Sequence, residues 1–279
     1  MQSDPISNNR RDTLLPFDIL YLDQWILAVN KRTYIPVAPS IPQVLSNPAQ
    51  SAVSRTTHES PSSKSPKEPE SLLAQLQRWL QAQEVPDKGA TGLPYLGLVH
   101  RIDQPVTGVV LFARDQASLE LLNQQFRERQ VHKLYWVVTE SKPEKDTGTL
   151  EHYIVFDPKR NKSRIFTPSH SSEIPTPNRK SRAKKALLHY RVVGSSERYF
   201  FLEIELVTGR PHQIRAQLAA IRCPVKGDLK YGARRSNPGG GILLHARSIR
   251  FNHPKTGLPL TITAEPPLST LWDLFPRPT

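Results

Sequence analysis

Few side chains in this sequence have a type and setting suited to chemistry, and they fall in three short stretches. These are His100-Arg101-Ile102-Asp103 with Thr107-Gly108, then Lys133-Leu134-Tyr135, then Thr208-Gly209-Arg210-Pro211-His212-Gln213-Ile214-Arg215. Asp103 offers a carboxylate that can act as nucleophile or base. Arg215 offers a planar guanidinium able to fork onto a carboxylate and keep it charged and oriented. Tyr135 offers a ring face and a hydroxyl. Several other chemistries lack their residues. Cys223 is the only cysteine, which excludes an internal disulfide and every multi-cysteine zinc or iron–sulfur site. His212 has no second ligand at i+4 and no acidic partner, so no metal is expected. A glycoside hydrolase needs two paired acids and a nuclease usually clusters acids around metal; neither constellation is visible.

Taken singly, each of these residues has a plainer reading. Asp103 in a polar turn would be a turn or cap residue, Tyr135 on a strand would be core, and Arg215 would be a solvated helix residue. His100, a lone histidine at a strand end, reads as a hydrogen-bonded structural residue. Joint occurrence is what gives the three stretches weight.

The elements that must position them follow from periodicity. Leu96–His100 and Gly108–Ala113 are short apolar runs on either side of the polar turn that holds Asp103, and a helix with Leu119, Leu122 and Phe126 on one face follows. Leu134–Thr139 reads as a strand in which Tyr135 and Val137 point away from Leu134 and Trp136, leaving Tyr135 free to face a cleft. Phe200, Leu202, Ile204 and Leu206 alternate against Glu203 and Glu205 as in a half-buried antiparallel strand. A helix follows, with Pro211 in its first turn, an Ile214/Leu218/Ile221 stripe beside Arg215, and Pro224 at its end. Trp25–Val29 reads as a buried strand and Leu72–Leu80 as a helix starting at Ser71. Ile242–Leu244 and Ser248–Phe251 look like two further strands. The pattern is α+β with a mainly antiparallel sheet.

The chain has 279 residues, with 38 Lys and Arg against 25 Asp and Glu, a formal charge of +13 and an isoelectric point near 10.0. A polyanionic partner is the natural reading. Residues 157–185 hold nine basic residues against Asp157 and Glu173, over half the net charge in one segment. Positive charge concentrated this way neutralises phosphates and releases their counterions. Residues 39–70 hold six Pro and eight Ser with little apolar periodicity and read as a long loop or disordered insertion. No apolar run approaches the roughly 20 residues of a spanning helix. The first 18 residues lack the apolar core of a signal peptide, so a soluble, cytoplasmic protein is expected.

The three stretches, in this order, resemble the RluA-type pseudouridine synthases. The resemblance runs on through Leu218-Ala219-Ala220-Ile221, Pro224, Gly227-Asp228, Tyr231-Gly232 and Leu244-His245-Ala246, covering roughly residues 14–265 outside the insertion. It implies that Asp103 is the catalytic aspartate, Tyr135 the active-site tyrosine and Arg215 the site arginine, and that Arg101 fills the space left by a flipped base. It implies an RNA substrate, ribosomal or transfer, and no cofactor. It also implies the family's fold, here as one catalytic domain over 14–279 after a tail at 1–13, interrupted by the insertion. Because the catalytic pattern begins within the first thirty residues, no S4-like domain is expected, and a monomer is the default expectation. The sequence departs from the family in places. Pro105-Val106-Thr107-Gly108 replaces a common Asp-Thr-Ser-Gly, Arg32-Thr33-Tyr34 replaces Pro-Ala-Gly after Asn30-Lys31, and Gln217 stands where histidine is frequent.

Overall fold

A computed structural model describes residues 17–39, 69–83, 92–166, 183–268 and 271–275. The expected tail at 1–13, nearly all of the 39–70 insertion, and 167–182 of the basic segment lie outside the described residues.

Eleven strands form one mixed sheet. In chain order they are β1 (Phe17–Leu22), β2 (Ile26–Lys31), β3 (Gly97–Leu98), β4 (Thr107–Ala113), β5 (His132–Thr139), β6 (Thr147–Asp157), β7 (Lys162–Phe166), β8 (Lys184–Ser195), β9 (Phe200–Leu206), β10 (Leu244–Asn252) and β11 (Pro259–Thr263). The order across the sheet is β1-β2-β4-β10-β5-β9-β8-β6-β7, with β3 beside β4 and β11 beside β10. Every pairing is antiparallel except β4 with β10, where His245 lies opposite Thr107 and Ala246 opposite Gly108. This α+β architecture matches the expectation.

The helices are placed by their apolar stripes. In α1 (Leu72–Ala82), capped by the Ser71 side chain, Leu72, Leu76 and Leu80 are fully buried against Leu27, Val29, Val110 and Phe112. In α2 (Gln116–Arg127), capped by Asp115, Leu122 packs on the opposite face with Ile26, Ala28, Val109 and Leu111. Consecutive residues of β2 and β4 thus feed two cores, as the two-residue period of a strand requires. The third helix, α3 (Gln213–Ala220), puts Ile214 and Leu218 into the same core as α1, beside Tyr135, Leu188, Leu202 and Ile204.

Two sequence expectations need correction. The segments 242–244 and 248–251 are not two strands: Leu244–Asn252 is one. The polar His245 and Arg247 interrupt the apolar pattern, yet His245 is wholly buried and Arg247 covers the Trp136 ring at 4.2 Å. A register shift between Ala246 and Ser248 lets the strand continue along β5. Likewise α3 begins at Gln213 rather than at Pro211. His212 holds a left-handed conformation at φ 51°, which no α-helix continues.

Candidate functional site

Asp103 sits in the turn between β3 and β4, closed by Val106 N donating to the Asp103 carbonyl at 3.0 Å. The turn is held from outside by the segment after β2. Lys31 Nζ donates to the Gln104 carbonyl at 3.0 Å and to that of Arg32 at 2.9 Å. Tyr34 N donates to the Gln104 carbonyl at 2.9 Å, and Gln104 Nε2 donates back to the Tyr34 carbonyl at 3.0 Å. Tyr34 holds φ 64°, a left-handed conformation that suits the glycine the family commonly places here. The tyrosine keeps it with those two bonds and with its hydroxyl, which accepts from Gly241 N at 2.8 Å.

Lys31 is completely buried, and burial pulls its ammonium down to about 7 even though the nearby Asp103 charge works the other way. Its proton is therefore held far less tightly than that of an exposed lysine.

On the far side of Asp103 stands Arg215. Its Nη1 donates to Asp103 Oδ2 at 2.9 Å, while Nε and Nη2 fork onto the two oxygens of Asp228 at 2.7 and 2.9 Å. The side chains of Arg215 and Asp228 are 5% and 1% exposed, and that of Asp103 is 24% exposed. One end of the network is thus sealed and the other opens to solvent. Burial opposes the charge on Arg215, but the hydrogen bonds and charges of Asp228 and Asp103 outweigh it and push its proton affinity above the ordinary range. The guanidinium also lies over the Tyr231 ring at 5.0 Å, with Lys162 Nζ at 5.1 Å from the same ring.

Tyr135 lies on the face of β5 that expectation gave it, but it is enclosed, not open. Burial, with the Asp103 charge adding to it, pushes its hydroxyl well above its usual range, so the phenol stays protonated. Arg101 is exposed beside the turn. His100, as read from the sequence, is structural: its Nε2 accepts from Leu111 N at 3.1 Å and its ring stacks on Phe126. The structure therefore brings Asp103, Tyr135 and Arg215 together, with Arg101 at the rim.

His212, Asp228, Tyr231 and Lys31 also belong to this arrangement, and sequence reasoning did not assign them to it. His212 Nε2 is 3.7 Å from Asp103 Oδ2, and its Nδ1 meets the Tyr231 hydroxyl at 3.0 Å. Burial lowers its affinity for a proton, so it approaches Asp103 as neutral imidazole. The only signal was adjacency: Asn30-Lys31, Gly227-Asp228 and Tyr231-Gly232 all lie in the runs that carry the resemblance. Gln217 does not reach Asp103. It is fully buried, and its Nε2 donates to the Leu150 carbonyl at 2.9 Å and meets His152 Nδ1 at 3.0 Å, tying α3 to β6. No group of His, Cys, Asp or Glu with metal-binding geometry occurs among the described residues.

The rest of the third stretch builds the loop that carries α3. Gln213 Oε1 accepts from Thr208 Oγ1 at 2.8 Å and from Arg210 N at 3.0 Å, and its Nε2 donates to the Leu187 carbonyl of β8.

A profile described as RNA pseudouridylate synthase matches residues 26–220. Ribosomal large subunit pseudouridine synthase D of Xylella fastidiosa (strain Temecula1 / ATCC 700964) is 29% identical over 266 residues, covering 91% of this chain and 67% of that protein. The tRNA pseudouridine synthase C of Pectobacterium carotovorum is 30% identical over 184 residues, but only 46% of its length is covered. Among solved structures, Human RNA Pseudouridylate Synthase Domain Containing 4 shares the fold with a TM-score of 0.63, over 89% of this chain and 88% of that one, at 24% identity.

Proposed function

Since the chain belongs to the RNA pseudouridylate synthase family and is an RNA pseudouridine synthase, we propose that Asp103 is the carboxylate that opens its reaction, with Arg215 holding it in place. The observation that carries this assignment is the 2.9 Å bond from Arg215 Nη1 to Asp103 Oδ2, made by a guanidinium already fixed by its fork to Asp228.

Conversion of uridine to pseudouridine breaks the N1–C1′ bond, turns the uracil and joins C5 to C1′, so atoms move within one nucleotide. Asp103 can begin it by attacking C1′ or by taking the C2′ proton. Both routes need an oriented carboxylate, and a preformed charge partner supplies that orientation without reorganisation during the reaction. Tyr135, on the Asp103 side of β5, carries a protonated hydroxyl that comes near C5 once the entering uracil displaces the side chains enclosing its ring. Once C5 has joined C1′, that hydroxyl can accept the C5 proton as it hands its own to the Asp103 carboxylate, from which it exchanges with solvent, while N1 takes up a proton from solvent. A base inside RNA must leave its stack to reach this carboxylate, and exposed Arg101 is the residue proposed to fill the gap. We place the target in ribosomal or transfer RNA, bound by a single copy of the chain in the cytoplasm.

The test is Asp103→Asn, which is nearly isosteric but neither nucleophile nor base. RNA containing 5-tritiated uridine would be incubated with each protein and tritium release followed. Binding is expected to stay near the parent value while release falls more than about a hundredfold, a barrier increase of roughly 2.7 kcal/mol or more. Turnover within a hundredfold of the parent, with deamidation of the new asparagine excluded, would remove Asp103 from the role.

A further inference from the structure

We propose that Lys133, together with the bare backbone of Gly209 beside it, forms a phosphodiester-binding site that seats the RNA strand next to the target uridine. The proposal rests on the assignment of Asp103 and Tyr135 to the reaction centre.

Lys133 is a half-buried lysine with nothing to neutralise it. Among the described residues its ammonium makes no hydrogen bond and no ion pair. Its neighbours are the Phe126 ring, 5.7 Å from Nζ, and the partly buried imidazole of His100, whose affinity for a proton desolvation lowers and the Lys133 charge lowers further. Burial also lowers the proton affinity of Lys133, with no carboxylate acting to restore it. A desolvated cation is costly unless an anion completes it. Other lysines of this protein show the contrast: Lys226 lies 3.5 Å from Glu140, Lys185 is 2.7 Å from Glu151 and Lys142 is 2.8 Å from Asp146.

Gly209 explains how the anion would arrive. Its φ lies outside the left-handed region, and a Cβ built on it would touch nothing nearer than Lys133 Nζ at 3.8 Å. Neither backbone conformation nor packing therefore requires glycine at this exposed position. A side chain there would cover the ammonium of Lys133. Glycine leaves the approach open, as it does where backbone must come close to a ligand.

Position identifies the ligand. Lys133 and Tyr135 lie on one face of β5, two residues or about 7 Å apart, and Tyr135 lies within the field of Asp103. An anion on Lys133 thus falls about one nucleotide from a base held against Tyr135. Cationic Arg210 flanks it, with its Nε bonded to the Lys185 carbonyl at 3.0 Å. In an RNA strand the repeating anion at that distance is the phosphodiester. A single ammonium recognises its charge without reading sequence.

The experiment titrates a fluorescently labelled uridine-rich single-stranded RNA against the full chain across a salt series. Parent, Lys133→Gln, Lys133→Arg, Gly209→Val and Asp103→Asn are compared, and tritium release at saturating protein is recorded for each. Lys133→Gln is expected to weaken binding about tenfold at 0.1 M salt. It should also reduce the slope of log K against log salt by about 0.7, one single-strand phosphate contact. Lys133→Arg should restore the slope. Gly209→Val, which leaves the lysine in place and covers it, should reproduce the loss and serves as the reading should Lys133→Gln fail to fold. An unchanged salt slope in Lys133→Gln or, if that variant is unfolded, in Gly209→Val overturns the proposal, because the lysine would then only cover Phe126. Asp103→Asn separates the two claims. If it still turns over, the reaction-centre assignment fails on its own, whatever the slopes do.

Discussion

The guanidinium of Arg215 serves two carboxylates with different needs. Its fork to Asp228 is buried and structural, and its remaining arm reaches the partly exposed Asp103. A lysine at this position would bring a charge but no rigid plane, and one ammonium cannot hold two carboxylates on opposite edges. Arg215→Lys is therefore expected to lower the single-turnover rate by roughly ten- to a hundredfold, the equivalent of one charge-assisted hydrogen bond worth about 1.5–3 kcal/mol. Affinity for RNA should change less. Rates at saturating protein decide it: a parental rate that merely needs more protein to saturate would make Arg215 an RNA-backbone contact. The pairing of Asp103 with Arg215 was legible in the sequence because their stretches are distinctive as strings of residues. Asp228 could not be assigned, because a 3₁₀ turn at Leu229–Tyr231 and the loop before it return the chain to Arg215 thirteen residues on, at a spacing no helix or strand period predicts. His212 was set aside as a metal ligand, and its approach to Asp103 depends on the left-handed turn at its own backbone.

At the scale of elements, strands with one apolar face were legible and those at the sheet's far edge were not. β2, β4, β5 and β9 bury alternate or continuous apolar runs, and the chain announces them. β6, β7 and β8 carry charges on their open face, as with Lys162 and Arg164 on either side of the buried Ser163, so the basic segment was visible as charge but not as strands. Its described part turns out to be a hairpin and the start of the neighbouring β8, which carries Lys184 and Lys185: Lys159 and Arg160 lie at the β6–β7 turn, and Arg164 is exposed on β7 opposite Val155. That edge adjoins α3, since Ser163 Oγ donates to the Pro211 carbonyl and Ser163 N donates to the Tyr231 hydroxyl. If the proposed site is right, a cationic hairpin tied to the helix of Arg215 is placed to guide the RNA backbone toward Asp103. Replacing Lys159, Arg160 and Arg164 by Gln is expected to weaken binding to unrelated RNAs by similar factors and to reduce the salt slope by about two, at about 0.7 for each single-strand phosphate contact. Lys162 is left in place because it covers Tyr231. A slope equal to the parent's, measured by titration at several salt concentrations, would make the hairpin a solvated edge with no part in binding.

For the molecule as a whole, the buried bases make stability depend on pH in one direction over a wide span. His100 and His245 are enclosed beside β4, where His245 Nδ1 meets Thr107 Oγ1 at 2.8 Å and its Nε2 meets the Ala264 carbonyl at 3.0 Å. Burial lowers them to about 3 and about 4. Between those values and the unfolded pKa near 6.5, the unfolded chain binds more protons than the folded one, so stability is lost as pH falls through that window. Lys31 extends the same sign upward. Its folded value of about 7 lies below the unfolded value near 10.4, so from pH 7 toward 10 the unfolded state again holds the extra proton, and stability rises with pH. Each such group contributes at most about 1.4 kcal/mol per pH unit within its window. Urea denaturation of the parent is expected to give an unfolding free energy that climbs from pH 4.5 to 6.5 and again from pH 7 to 9.5. His100→Gln, whose amide oxygen can still accept from Leu111 N, should flatten the first limb, and Lys31→Met the second. The two limbs are independent because the residues titrate in separate ranges. A parent whose stability peaks near pH 7 and falls by 9.5 would show that the Lys31 ammonium stays charged in the fold, held by the Gln104 and Arg32 carbonyls and the nearby Asp103 carboxylate.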